Sequence, residues 1–311
     1  MNLSANTTEL VSTISESWSR IQKSVLVIIL STEMVLGTLG NAMVLIVKVV
    51  CRGQFQCVYW LPFASLTLSD LCCSALIITG SLLAVLTGGQ RSPWCEVVSL
   101  FKFTFIISSI GSVGLLCVQR YVGPASTGRR FSAIITVACL AFWLSGTVFG
   151  VVPVIYDWVR YDPAELMCAV FWESSYSDML VYILSAFGLC IFPPLIMILV
   201  CHLLSWVTNG KNSTSKMDLS SVTPLVVGVY LVCYTPFTLS ELILLGKFDL
   251  SPSPDWLRTL SSVMAYLDCT LNPIIYCTNQ DFREAALALL WTSRKSSSPE
   301  PVLTSITKLD V

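Results

Sequence analysis

The chain has 311 residues, 54% of them hydrophobic and only 12% charged, with a formal net charge of −1. That balance excludes an ordinary soluble domain, in which roughly a quarter of the residues are charged. A near-neutral chain also lacks the basic surface that a nucleic-acid partner needs.

Residues 1–23 are polar and read as an extracellular tail without the basic start, apolar stretch and cleavage site of a signal peptide. Sequons at Asn2 and Asn6 suit that placement, because glycosylation needs the luminal side. A membrane crossing takes about 20 mostly apolar residues. Such runs lie at 24–48, 58–86, 95–122, 132–156, 177–206, 219–246 and 256–278, the first expected to act as signal anchor. The pattern predicts an all-α integral membrane protein with a seven-helix bundle over 24–278. A short amphipathic helix is expected at 279–291, with Phe282, Ala286 and Leu289 on the face that lies along the membrane. Residues 292–311 read as a disordered cytosolic tail.

Seven crossings put the two ends on opposite sides, and basic residues set which is which. Lys48, Arg52, Arg129, Arg130, Lys211, Lys216, Arg283, Arg294, Lys295 and Lys308 fall on the C-terminal side. Arg20, Lys23, Arg91, Arg160, Lys247 and Arg258 fall on the other, a modest bias that favours a cytosolic C-terminus. The sequon at Asn212 then lies in an inner loop and is expected to stay bare. Nearly all of the 13 cysteines sit within apolar spans, where they read as small packing residues. Cys95 and Cys168 face the oxidising side instead, and a disulfide between them would pin the longest outer loop over the bundle mouth. Two free thiols are the alternative.

Polar groups inside a membrane span are costly and point to function. Asn41, Asp70, Ser109, Asp268 and Asn272 fall in spans one, two, three and seven, the last two at helical spacing i, i+4. If their faces converge, two carboxylates and several neutral oxygens suit a small hard cation such as sodium at Asp70, with no other metal expected. A hydrogen-bonded network that glues helices together is the competing reading. No catalytic constellation is evident, and the single histidine, His202, has no second histidine to share a metal.

Asn272-Pro273-Ile274-Ile275-Tyr276 in the seventh span resembles the Asn-Pro-x-x-Tyr motif of rhodopsin-like (class A) G-protein-coupled receptors. Gly40-Asn41, Leu66 to Asp70, Trp94-Cys95, Gln119-Arg120-Tyr121, Trp143, Pro153, Pro194 and Cys233-Tyr234-Thr235-Pro236 resemble the family's markers, in the family's order. The resemblance covers essentially the whole membrane region. It implies a plasma-membrane receptor, multi-pass, with an extracellular ligand, a heterotrimeric G protein and arrestin as partners. It also implies switch roles for Gln119, Arg120, Tyr121, Pro236, Pro273 and Tyr276.

The chain departs from the family pattern at several points. Gln119 stands where an acid is usual, Lys216 where span six often carries Glu, and Tyr234 where tryptophan is customary. Pro124 follows Arg120 by only four residues, so the second inner loop differs from the usual G-protein-contacting segment. These changes allow either raised basal activity or weak signalling. Cys168 to Trp172 and Phe192-Pro193-Pro194 are similar to opsin segments. Tyr266, however, occupies the position of the retinal-bearing lysine, and a Schiff base needs that amine, so a retinal cofactor is disfavoured. Lys102 in span three is a candidate contact for an anionic, lipid or peptide ligand, beside Tyr234, Glu241 and Tyr266. Its alternative role is an internal ion pair with Glu241 or Glu33. A non-signalling seven-helix scavenger or modulatory protein is the alternative to a receptor, and an ion-conducting path through Asp70, Asp268 and Lys102 is a third reading.

Overall fold

A computed structural model describes residues 3–50, 60–88, 93–122, 128–170, 176–207, 222–246 and 253–295. Within those stretches the side chains of 3–19, 93–96, 99, 167, 168, 202, 205, 206, 245, 246, 281 and 290–295 are not described. The expectations for Asn2, Lys216 and Pro124 fall outside the described residues, as do those for the side chains of Asn6, Cys95, Cys168 and His202.

Seven long helices follow in chain order. They are α1 (Leu3–Val50), α2 (Trp60–Thr87), α3 (Pro93–Val122), α4 (Arg129–Ile155), α5 (Tyr176–Val207), α6 (Thr223–Gly246) and α7 (Asp255–Tyr276). A two-stranded antiparallel hairpin, β1 (Val159–Asp162) and β2 (Met167–Val170), sits between α4 and α5. A final helix, α8 (Gln280–Lys295), follows α7. The α1 backbone starts at Leu3, well before the expected span, whose apolar part begins only near Arg20.

Six helices among the described residues are long and apolar enough to cross a membrane, and α7 is not one of them. Its 22 residues still give about 33 Å of helix. What lowers its hydropathy is the set Ser261, Ser262, Asp268, Thr270 and Asn272, all buried inside the bundle. Polar residues within and apolar residues without is the arrangement a bilayer imposes. Accordingly Ile28, Leu39, Val137, Leu140, Leu144, Val181 and Leu189 are exposed toward the lipid position.

Prolines shape the helices from inside. Pro153, Pro236 and Pro273 lie within α4, α6 and α7, where each removes one backbone donor. In α5 a π-helical turn, Phe187–Ile191, directly precedes Pro193 and Pro194, where the missing donors let the ladder slip by a residue. A second π turn, Cys73–Ile78, interrupts α2 just after Asp70.

The central helix is α3, most of whose apolar window is buried. Two glycines let α4 approach it: a Cβ on Gly150 would lie 2.3 Å from the Leu100 carbonyl oxygen, and one on Gly146 2.8 Å from Thr104 Cα. Backbone that close admits no methyl group, so Gly150→Ala is expected to destabilise the bundle by about 1–3 kcal/mol. Gly228→Ala is the control, because nothing lies within 4 Å of its added Cβ. There alanine should be neutral or stabilising by up to about 1 kcal/mol through helix propensity. Melting curves of the purified protein check the opposite signs.

Serine and tryptophan clasp the same region. Trp143 Nε1 and Ser112 Oγ both donate to Ser65 Oγ, at 2.9 and 2.8 Å, tying α2, α3 and α4 together. On α8, the amide of Phe282 donates to Asn279 Oδ1 at 3.0 Å, which caps the helix start. Phe282 and Ala286 then join the bundle core rather than facing outward.

Candidate functional site

The hairpin closes one end of the bundle, and its tip turns inward. The Ala164 amide donates to Asp162 Oδ1 at 2.9 Å, an Asx-type turn that starts the tip. Leu166 holds a positive φ of 63° and is 3% exposed, packed with Leu30, Ile77, Val98 and Tyr266. A branched residue in that left-handed region is strained, so surrounding contacts must hold it there. They are visible on α7 and α3. Arg258 bridges Asp162 of the hairpin and Asp255 of its own helix. Thr259 Oγ1 and Ser262 Oγ donate to the carbonyls of Ala164 and Glu165, at 2.7 and 2.9 Å. Lys102 of α3 pairs with Glu165 at 3.1 Å.

Beneath the tip lies a cavity that encloses about 550 Å³ of space between atoms, open solvent included. Lys102, Tyr234, Glu241 and Tyr266 all line it, together with Glu165, Arg258, Phe237 and Ser240. Tyr266 shares a 2.8 Å hydrogen bond with Ser81, and Ser240 one of 2.5 Å with Ser253. The sequence expectation for Lys102 named Glu241 or Glu33 as its internal partner; the partner is Glu165. The reason is the hairpin, which carries a loop carboxylate into the bundle mouth where span-based reasoning does not look. Glu33 is buried on α1, where its backbone carbonyl accepts from Thr270 at 3.3 Å.

Deeper in the bundle, Asn272 Nδ2 donates to Asp70 Oδ2 at 2.8 Å, and Asn41 Nδ2 donates to the Cys269 carbonyl at 2.8 Å. Asp268 is an electrostatic neighbour of Asp70. Asn41 Oδ1, Asp70 Oδ1, Ser109 Oγ, both Asp268 carboxylate oxygens and Asn272 Oδ1 are buried without a hydrogen-bond partner. Buried oxygens left in this state are expensive. A small hard cation fits the donor set, since every orphan atom is an oxygen and two residues are acids. No group of three His, Cys, Asp or Glu side chains forms a metal site among the described residues. Any cation here therefore relies on two acids and neutral oxygens.

Tyr234 links the two levels. Its ring lines the cavity and stacks on Tyr230 at 4.4 Å. At the far end of the bundle, Gln119 is buried, Arg120 half-buried and Tyr121 exposed. Tyr276 is buried against Phe63 at 4.7 Å and Phe282 at 6.4 Å, so α7, α2 and α8 meet there. Lys48, read from the sequence only as an inner-side charge, is 1% exposed, with its ammonium 4.3 Å from the Phe63 ring centre. Sequence reasoning also missed the functional placement of Asp162, Glu165 and Arg258. The one available signal was two acids flanking Pro163-Ala164 in an outer loop, opposite a basic residue at the start of span seven.

A bundle of membrane-length helices with a capped cavity at one end and a buried polar core below it defines a seven-helix membrane protein. The chain belongs to the 7 transmembrane receptor (rhodopsin family), whose pattern matches residues 40–276. It is 25% identical to the melatonin receptor type 1C of Xenopus laevis, over 93% of this chain and 76% of that one. It is also 25% identical to the alpha-1A adrenergic receptor of Bos taurus, over 89% of this chain and 71% of the relative. The crystal structure of squid rhodopsin superposes with a TM-score of 0.70 at 19% identity, covering 91% of this chain and 93% of that structure. The family consists of receptors rather than enzymes.

Proposed function

We propose that the protein is a cell-surface receptor that binds a small extracellular ligand under the hairpin and signals to a heterotrimeric G protein at the opposite end. The observation that carries this is a shared wall. Tyr234 and Tyr266 line the cavity, and they sit on α6 and α7, the helices that contain Pro236 and Pro273. A ligand touching those rings bears directly on the two helices with a proline inside. A ligand shifts the conformational balance by as much as its affinities for the two states differ. In this reading the hairpin end and the N-terminus are extracellular, the C-terminus is cytosolic, and the membrane is the plasma membrane. Arrestin would share the cytosolic face. An anionic ligand group at Lys102, the expectation from sequence, would have to displace Glu165 from its 3.1 Å pair.

The test is nucleotide exchange on each class of purified heterotrimer, with the full chain reconstituted in lipid vesicles. Exchange above that of empty vesicles supports the receptor reading. Silence with every class, from folded protein, favours the non-signalling scavenger or modulatory alternative.

The orphan oxygens around Asp70 support a structural sodium ion, supplying positive charge between two carboxyls. A ligand that binds one state stabilises it by mass action, about 2.7 kcal/mol at a hundredfold excess over Kd. Sodium is therefore expected to raise the melting temperature more than potassium does. Asp70→Asn should remove most of that difference, while a wild type that melts alike in both salts would leave the hydrogen-bonded network as the better account.

A further inference from the structure

We propose that the cavity under the hairpin accepts a small organic ammonium, seated with its cationic head at Glu241. This rests on the cavity being the ligand site and adds the chemical class of the ligand. Four carboxylate, ammonium or guanidinium side chains line the wall: Lys102, Glu165, Glu241 and Arg258. Lys102 is already paired with Glu165, and Arg258 with Asp162 and Asp255. Glu241 forms no ion pair with any described residue, although it is an electrostatic neighbour of both Glu165 and Lys102. Setting aside Asp255, which is mostly solvent-exposed, two cations stand against three carboxylates in this region. With Glu241 ionised, the charge left to be balanced is negative.

An entering anion meets that arrangement badly. It must break the Lys102–Glu165 pair and add to the repulsion already acting between Glu165 and Glu241. Nor does the neutral part of the wall hold many spare donors for it. Ser261 donates to the Leu257 carbonyl, Ser262 to that of Glu165, and Ser240 is bonded to Ser253. An ammonium instead sits between like carboxylates that otherwise repel each other. Tyr234, Phe237 and Tyr266 supply ring faces on the same wall, and aromatic faces attract cations when water is excluded. The ammonium head is thus matched by charge at Glu241 and by the rings around it.

The experiment compares three probes of one size on the purified full-length chain: 2-phenylethylammonium, phenylacetate and uncharged 2-phenylethanol. Melting temperature is read as a function of probe concentration at fixed ionic strength. The ammonium is expected to raise the melting temperature with concentration, and the other two are not. Glu241→Gln should move the half-effective ammonium concentration upward by about tenfold or more. An ammonium response that persists in Asp70→Asn separates this cavity from the mid-bundle acids. If Glu241→Gln does not fold, the contrast between ammonium and alcohol on the wild type decides the matter. The proposal is overturned by a phenylacetate response lost in Lys102→Ala, by equal responses to ammonium and alcohol, or by no ammonium response. It is overturned equally by an ammonium response that persists in Glu241→Gln but vanishes in Asp70→Asn. Ammonium binding without any nucleotide exchange would leave this inference standing and remove the receptor reading.

Discussion

Arg258→Ala is expected to lower the melting temperature by many degrees and to raise amide hydrogen exchange across residues 159–170. The guanidinium holds Asp162, and the two side chains are only 12% and 5% exposed. Removing one member of such a pair leaves the other buried and uncompensated, which typically costs 3–5 kcal/mol, to be taken here as about that order. Asp162 would keep only the Ala164 amide. The second bridge of Arg258 is different in kind. Asp255 is 83% exposed, so Asp255→Asn is expected to change stability by no more than about 1 kcal/mol. Arg258→Lys should fall between, keeping the charge and losing the fork that reaches two carboxylates at once. Equal melting of Arg258→Ala and Asp255→Asn would show that the hairpin is held by its other contacts, to Thr259, Ser262 and Lys102 and through buried Leu166. The consequence for function follows from place: the same hairpin tip carries Glu165 into the cavity, so a loosened tip also releases Lys102.

The bundle was legible in the sequence because a bilayer permits few solutions. Once seven apolar runs and the Asn272-Pro273 pair were placed, the inward turn of Asn41, Asp70, Asp268 and Asn272 followed from the cost of polar atoms in lipid. Lys102 on α3, Tyr234 and Glu241 seven residues apart on α6, and Tyr266 on α7 line one cavity because each turns a polar group into the same interior. What could not be read was the hairpin. Its strands are four residues each, too short to leave a period, and Leu166 adopts a left-handed conformation that no residue type announces. Glu165 and Arg258 therefore looked like loop and rim charges, although they meet Lys102 and Asp162. Lys48 misled in the opposite way. A lysine at a helix end reads as a solvated inner-side charge, yet this one is buried over Phe63, because α2 and α8 pack around the end of α1.

Ligand-independent signalling is the second large effect expected, and it arises at the end of the bundle opposite the cavity. In the family pattern an acid beside the arginine restrains it, and span six often supplies another. This chain has Gln119 beside Arg120, and Lys216 seven residues ahead of α6 in the sequence. Gln119 is buried, so its amide acts in a dry setting where the missing charge matters most. A neutral amide oxygen accepts a hydrogen bond roughly half as strong as a carboxylate does. Lys216 adds like charge near Arg120 whenever the helix ends close together. Both effects raise the closed state relative to the open one, and about 1.4 kcal/mol changes their ratio tenfold. Vesicles carrying the wild-type chain should therefore drive nucleotide exchange without ligand, and Gln119→Asp combined with Lys216→Glu should lower that basal rate by about tenfold. Each single variant should lie between, because the acid and the lysine act on the same guanidinium. A double variant as active as the wild type would mean that Arg120 is restrained by neither position. In that case the basal rate is set elsewhere, with Tyr276, packed between Phe63 and Phe282, as the next contact to break.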